Sequence, residues 1–178
     1  MQETIVYQGK IIEVVQTTIE GRVFEIARRS PGVRLIILQE DKILLTKERR
    51  SEYNGYDYRL PGGKVFDTLI EYNEKLAHHK DLLMHAEQAA RRECVQETGL
   101  LPSSLTHFAT SKAWATVEWD LYYFIVKEFE KNQQGQELEE GEDITVERKT
   151  REEVKELCLQ GEIREERTVG VLFRFLLL

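Results

Sequence analysis

Along the first third of the chain, apolar positions alternate with polar ones or run together, and turn residues interrupt them at short intervals. Residues 5–7, 11–19 and 22–28 are rich in Val, Ile, Thr and aromatics and are separated by Gly9-Lys10 and Glu20-Gly21, so they read as strands. In the third of these, Phe24 and Ile26 share one face and Glu25 takes the other, the period of a half-buried strand. Ser30-Pro31-Gly32 punctuates the pattern, and beyond it residues 33–38 and 43–46 flank Asp41-Lys42 as a hairpin. Leu35-Ile36-Ile37-Leu38 is apolar on both faces, which predicts a central strand covered on both sides. From Asp67 the spacing changes to three and four, through Leu69, Tyr72 and Leu76 and again through Ala86, Ala89 and Ala90. Two helices are predicted, 68–79 and 85–98, the second stopped by Gly99 with Pro102 just beyond. Strand character returns over 105–114 and 117–127, a polar acidic loop covers 130–141, and a short strand covers 144–148. Two closing helices follow from Val154, Leu157 and Cys158 and from Val169, Leu172, Phe173 and Leu176.

With no internal repeat and no low-complexity linker, residues 1–178 read as one mixed α/β domain in which 1–30 form an N-terminal antiparallel β extension. The hydrophobic share of 41% and charged share of 32% are those of a folded soluble chain. A net charge of −7 without a basic stripe argues against nucleic acid or a membrane surface as partner. An anionic substrate would then need cations to bridge it to the protein. Cys94 and Cys158 are too few for a disulfide framework or a zinc site, and residues 1–4 lack the basic, apolar opening of a signal peptide. The expectation is a protein of the reducing cytoplasm.

The chemistry is concentrated in Arg92-Glu93-Cys94-Val95-Gln96-Glu97-Thr98-Gly99-Leu100. On a helix Glu93 and Glu97 point the same way, and bare they repel by roughly 0.2–0.5 kcal/mol. A hard divalent cation reverses that sign, because Mg²⁺ favours carboxylate oxygens together with substrate phosphates. Upstream, Leu60-Pro61-Gly62-Gly63-Lys64 offers a turn whose backbone can approach a ligand closely.

These residues resemble the Nudix hydrolase family, whose box reads G-x5-E-x7-R-E-U-x-E-E-x-G-U with U a bulky apolar residue. Gly63 matches the first glycine, and Arg92 to Leu100 match the second half, with Gln96 at one acidic position. Arg29-Ser30-Pro31-Gly32-Val33, Leu44-Leu45-Thr46-Lys47-Glu48-Arg49-Arg50, Glu137-Leu138-Glu139-Glu140-Gly141-Glu142-Asp143-Ile144 and Leu157-Cys158-Leu159-Gln160-Gly161-Glu162-Ile163-Arg164 look like the ADP-ribose pyrophosphatase branch. The resemblance implies an α/β/α sandwich with a mixed sheet, and a homodimer whose N-terminal strands reach across to the partner. It implies Mg²⁺, with Mn²⁺ as an alternative, held by Glu93, Glu97 and the Gly62 carbonyl, with Gln96 at a weakened position. Glu142 takes the role of general base or further metal ligand, with Glu140 second. Arg29, Arg50 and Gly63 meet the substrate, and Arg92 ties the helix to the glycine loop. The implied reaction is hydrolysis of a nucleoside diphosphate linked to a group X, such as ADP-ribose to AMP and ribose 5-phosphate. The alternatives are a nucleotide-sugar-binding regulator without hydrolysis and a nucleoside triphosphate pyrophosphohydrolase.

The chain departs from that pattern in its spacing. Gly63 and Arg92 lie 29 positions apart where the family has 14, so residues 69–83 form an inserted helical segment, either a surface excursion or a lid over the site. Met84 stands where the count back from Arg92 requires glutamate, leaving Asp67, Glu71, Glu74 and Glu87 as replacements. Trp114 and Trp119 offer rings that can stack on a base, but at strand spacing they read first as core or interface residues.

Overall fold

The computed structural model describes residues 3–52, 54–77 and 81–178. In chain order the elements are β1 (Glu3–Gln8), β2 (Ile12–Ile19), β3 (Arg22–Arg29), β4 (Gly32–Gln39), β5 (Lys42–Arg50), β6 (Gly55–Arg59), α1 (Leu69–Ala77) and α2 (Leu82–Thr98). There follow β7 (Leu100–Pro102), β8 (Thr106–Ser111), β9 (Val117–Glu118), β10 (Leu121–Val126), β11 (Phe129–Lys131), β12 (Ile144–Thr150), α3 (Arg151–Leu159) and α4 (Glu166–Leu176). The last two residues of the first predicted helix, His78 and His79, lie outside the described residues.

The central sheet runs β12-β5-β4-β10-β8 and is mixed, since β10 lies parallel to β4 and the other pairs are antiparallel. The apolar run of β4 makes it the middle strand. Val33, Leu35 and Ile37 face one core with Ala86, Ala89, Ala90 and Cys94 of α2, while Ile36 faces a second core with Val154 and Cys158 of α3 and Leu172 of α4. Helices therefore cover both faces, which is the expected three-layer arrangement. Fully burying each such Val, Leu or Ile contributes roughly 1.5–3 kcal/mol, so the doubly covered strand is a main anchor of the fold. Alanines at 86, 89 and 90 let α2 lie close against the sheet.

β1, β2 and β3 form the antiparallel extension, and β9 joins its edge parallel to β3. The run 117–127, read as one strand, is in fact two. Val117–Glu118 belongs to this outer sheet and Leu121–Val126 to the central one, with Trp119-Asp120 between them. Trp114 is not core. It sits in a turn with φ 58° and is 72% exposed.

The inserted segment is part of the fold. Leu69 and Tyr72 are buried in the α2 core, and Tyr72 stacks on Phe66 with ring centroids 5.7 Å apart. The polar face of α1 grips the extension. Asn73 Nδ2 donates to both carboxylate oxygens of Glu13 (3.1 and 3.0 Å), and Tyr72 donates its hydroxyl to Glu118 (3.2 Å). Glu13 is fully buried, which is tolerable because Arg28 also stands beside it at 3.5 Å while pairing with Glu3 and Glu118.

One further detail of topology opens the site. A single edge of β5 pairs first with β4, at residues 42–44, and then with β6, at residues 46–50. The two partners diverge, and the chain leaving β6 comes back alongside the start of β4.

Candidate active site

That returning chain is the glycine turn. Leu35 N–H donates to the Pro61 carbonyl (2.8 Å) and Val33 N–H to the Gly63 carbonyl (2.9 Å), so the turn lies flat against β4. Gly62 adopts φ 150°, and a Cβ there would stand 2.1 Å from the Val33 carbonyl oxygen. Only glycine allows the approach. At Gly63 a Cβ would meet the carboxyl atoms of Glu93 at 2.5–2.6 Å, so that carboxylate rests on bare backbone. One helical turn along α2, Glu97 Oε2 accepts the Gly62 N–H at 2.7 Å. The two acids are thus pinned to the turn by packing at one and a hydrogen bond at the other. Arg92 joins the same elements, its Nη2 donating to the Lys64 carbonyl (3.1 Å) and lying 3.4 Å from Glu93.

Both carboxyls are pushed above their ordinary range. For Glu97 the causes are burial and then the charge of Glu48, with Glu93 adding to them, against the Gly62 N–H and Arg34. The result is a pKa of about 8. Glu93 rises through burial, opposed by Arg92 and assisted by Glu139 and Glu142. A pair of acids held together against their own repulsion suits a divalent cation. Among the described residues no group of three or more acids, histidines or cysteines forms a complete metal cage. Two carboxylates that open together into a cleft fit Mg²⁺, which keeps several waters and takes its remaining oxygens from substrate phosphates.

The acids open into a cleft of about 560 Å³, in the range of small-molecule sites. One wall is the acidic loop, which is docked on the end of α2. Glu137 N–H donates to the Gln96 carbonyl, Asn132 N–H to the Gly99 carbonyl, and Gln136 Nε2 to the Glu97 carbonyl. A helix C-terminus leaves such carbonyls without intrahelical partners, and here the loop supplies them. Glu142 lies on the cleft wall, its Oε2 accepting the Glu139 N–H at 2.9 Å. Beneath the glycine turn, Arg34 forks onto Glu165 at 2.8 and 2.9 Å. Burial pushes Glu165 up, but the Arg34 fork, the Thr168 hydroxyl and Arg59 prevail and hold it down to about 2.

Of the residues selected from sequence, Arg29, Arg50, Gly62, Gly63, Arg92, Glu93, Glu97 and Glu142 all line this one cleft. Gln96 and Glu140 do not. Gln96 contributes its backbone carbonyl to the loop docking instead. Among the candidates for the missing box glutamate, Asp67 alone lines the cleft, whereas Glu87 pairs with Arg91 at 2.9 Å. No residue of 69–83 lines it, so among the described residues the insertion is not placed as a lid.

Sequence reasoning missed Glu48 and Arg59. Glu48 is buried at the inward register of β5, two residues after Thr46, whose hydroxyl donates to it at 3.0 Å. Arg50 and Arg59 stand 3.6 and 3.8 Å away. The one signal for Glu48 is a charge that continues the buried Leu44-Thr46 register of β5. Trp119, expected in a core or interface, forms part of the cleft wall.

A NUDIX domain model matches residues 28–166. No curated protein matches the chain. Among solved structures, a crystal structure of an ADP compounds hydrolase superposes with a TM-score of 0.67 at 18% identity, covering 97% of this chain and 89% of that one. That likeness concerns the fold, including the N-terminal sheet that the domain match leaves out. With the match spanning most of its length, and its glycine turn and acidic helix joined as described, the chain belongs to the Nudix family.

Proposed function

We propose that the protein hydrolyses the diphosphate linkage of a nucleoside diphosphate joined to a group X. The substrate is ADP-ribose, giving AMP and ribose 5-phosphate, or another nucleotide sugar. The observation that carries this reading is the pair Glu93 and Glu97, fixed against Gly62-Gly63 in a cleft whose walls also present Arg29 and Arg50. Family membership supports hydrolysis, and the solved neighbour is itself described as acting on ADP compounds.

Glu93 and Glu97, together with the Gly62 carbonyl, are the groups that would hold Mg²⁺. When bound, the ion supplies charge neutralisation of the diphosphate and acidifies a coordinated water. The protein's own groups do the rest. Arg50 and Arg29 orient the phosphates, Gly63 leaves room for them, and Arg92 keeps α2 registered on the turn. Glu142 is the general base, since its place on the cleft wall favours it over Glu140. Gln96 lies off the cleft, which supports activity despite its lost charge. Of the candidate acids, Asp67 is the one suited to replace the box glutamate.

The extension leaves Ile5, Val6, Tyr7, Val23 and Phe24 exposed, which supports its use in a homodimer. The two cysteines are free and buried, in keeping with a reducing cytoplasm. No helix among the described residues is long and apolar enough to cross a membrane. The deciding experiment is Mg²⁺-dependent release of AMP from ADP-ribose by the native chain and by Glu97→Gln. Activity lost in the variant supports the hydrolase. Equal inertness with intact ADP-ribose binding would make the chain a binding regulator, and a preference for nucleoside triphosphates in the same panel would redirect the substrate.

A further inference from the structure

β3 and β9 run side by side, with Arg28 opposite Glu118 in the parallel register. The next residue along each chain, Arg29 and Trp119, lines the cleft, and Arg29 Cζ lies 4.1 Å from the Trp119 ring centroid. Arg28 and Arg29 point to opposite faces of β3, as successive residues of a strand do. Arg28, Glu118 and Tyr72 do not line the cleft but stand behind its wall. Glu118 divides its two oxygens between the other two, Oε2 accepting Arg28 Nε at 3.0 Å and Oε1 accepting the Tyr72 hydroxyl of α1 at 3.2 Å. The stretch of chain tied down in this way has little else to fix it. β9 is two residues long, and the turn before it holds Trp114 and Ala115 at φ 58° and 57°, a region that non-glycine residues rarely occupy. Around that turn Ala27 N–H donates to the Thr116 carbonyl at 2.8 Å and Val117 N–H to the Trp114 carbonyl at 3.3 Å. Arg28, by contrast, has Glu3 at 2.8 Å and Glu13 at 3.5 Å as further partners.

We infer that Glu118 is a positioning residue for the substrate, the joint through which α1 of the inserted segment braces Arg29 and Trp119 from behind. This rests on the cleft taking a nucleoside diphosphate whose phosphates Arg29 orients. The contacts form a continuous chain. The Tyr72 ring is packed in the α2 core and its hydroxyl fixes Glu118. Glu118 in turn fixes Arg28 and the backbone that carries Trp119, whose ring holds the Arg29 guanidinium. A guanidinium stacked on a ring takes its plane from that ring, so a shift of Trp119 turns the donors that Arg29 offers a phosphate. The insertion thereby acts on substrate affinity without entering the cleft.

The test reads KM, kcat and the emission of Trp119 together. Trp114→Phe leaves Trp119 as the only tryptophan, and Trp114 lies on an exposed turn outside the cleft. In that background Tyr72→Phe keeps the ring against Phe66 and removes the hydroxyl, while Glu118→Ala leaves Arg28 with Glu3 and Glu13. With ADP-ribose and Mg²⁺, Tyr72→Phe should raise KM about threefold, the loss of one hydrogen bond. Glu118→Ala should raise it about tenfold, and both variants should retain kcat. The double variant should match Glu118→Ala, because the hydroxyl acts only through that carboxylate. Glu118→Gln, which keeps an oxygen for one of the two donors, should recover part of the loss. In metal-free protein, Glu118→Ala should shift the Trp119 emission to the red and make it quench more readily with acrylamide. An unchanged KM with a lowered thermal midpoint would make the contact merely structural and overturn the inference. So would a multiplied effect of about thirtyfold in the double variant, a fall in kcat with KM unchanged, or unaltered Trp119 emission. Failure of the hydrolase reading would show separately, as absent AMP release from the native chain, and the metal-free emission would still decide whether Glu118 holds the wall.

Discussion

The adjacent glycines of the turn make opposite demands, and alanine at each should separate catalysis from folding. At Gly63 the new Cβ would lie 2.5–2.6 Å from the Glu93 carboxyl atoms. An ordinary contact is nearer 3.4 Å, so the carboxylate must retreat by about 1 Å, which its flexible side chain does cheaply. Misplacement of a reacting group by that distance costs on the order of 10²-fold in rate. At Gly62 the Cβ would lie 2.1 Å from the Val33 carbonyl oxygen, a backbone atom of the central strand, in a residue held at φ 150°. Overpacking there costs roughly 1–3 kcal/mol, and the strained conformation is of order 1–3 kcal/mol more. Gly63→Ala should therefore keep a near-native thermal midpoint and lose about two orders of magnitude in kcat for ADP-ribose. Gly62→Ala should lose stability first, seen as a markedly lower urea midpoint. Full activity in Gly63→Ala, or native stability in Gly62→Ala, would refute the account of how the turn is fitted.

Three further outcomes follow from the geometry. Glu97→Gln removes a buried carboxyl whose charged form is disfavoured and should raise the thermal midpoint at neutral pH in chelator while lowering kcat by ~10²–10³-fold; a lower midpoint would count against the burial argument. Glu165, held near 2 instead of 4.5, contributes stability present above pH 4.5 and lost as pH falls through 2. Its full linkage is about 3 kcal/mol, of which about 2 kcal/mol should go between pH 7 and pH 3. Urea unfolding of the Arg34→Met/Glu165→Leu double variant should lack that part of the slope, and parallel pH profiles for variant and native protein would show the pair to be inert. Tyr72→Ala should cost about 3–5 kcal/mol, because α1 is core on one side; a loss below 1 kcal/mol by urea denaturation would return the inserted segment to the surface.

Segments with a strong hydropathy period are legible in the sequence alone. β4 stands out because both of its faces are apolar, and α2 because Ala86, Ala89 and Ala90 repeat on one side with Gly99 at the stop. The segments that escape have little local pattern. β6 is Gly-Tyr-Asp-Tyr-Arg, and β7 and β11 are three residues each, paired only with one another. The strand break at Trp119-Asp120 is invisible to hydropathy because Val117, Trp119 and Leu121 alternate with Glu118 and Asp120 as in one unbroken strand. It exists because two sheets compete for one stretch of chain. At the site, Glu93, Glu97 and Gly62-Gly63 are legible from spacing, whereas Glu48 and Arg59 are brought to it by the pairing of β5 with β6, which leaves no local pattern. Their roles come from tertiary neighbours. The insertion looks detachable for the converse reason. Its helix period is plain, but Asn73 and Tyr72 find Glu13 and Glu118 only in three dimensions.

The docking of residues 132–137 on the end of α2 has a consequence for motion. Swinging that segment away would strand the carbonyls of Gln96, Glu97 and Gly99 and fray the very turn that bears Glu97. Excursions of residues 132–137 and loosening of Glu97 are then a single event, so hydrogen exchange at the helix terminus should report on both at once.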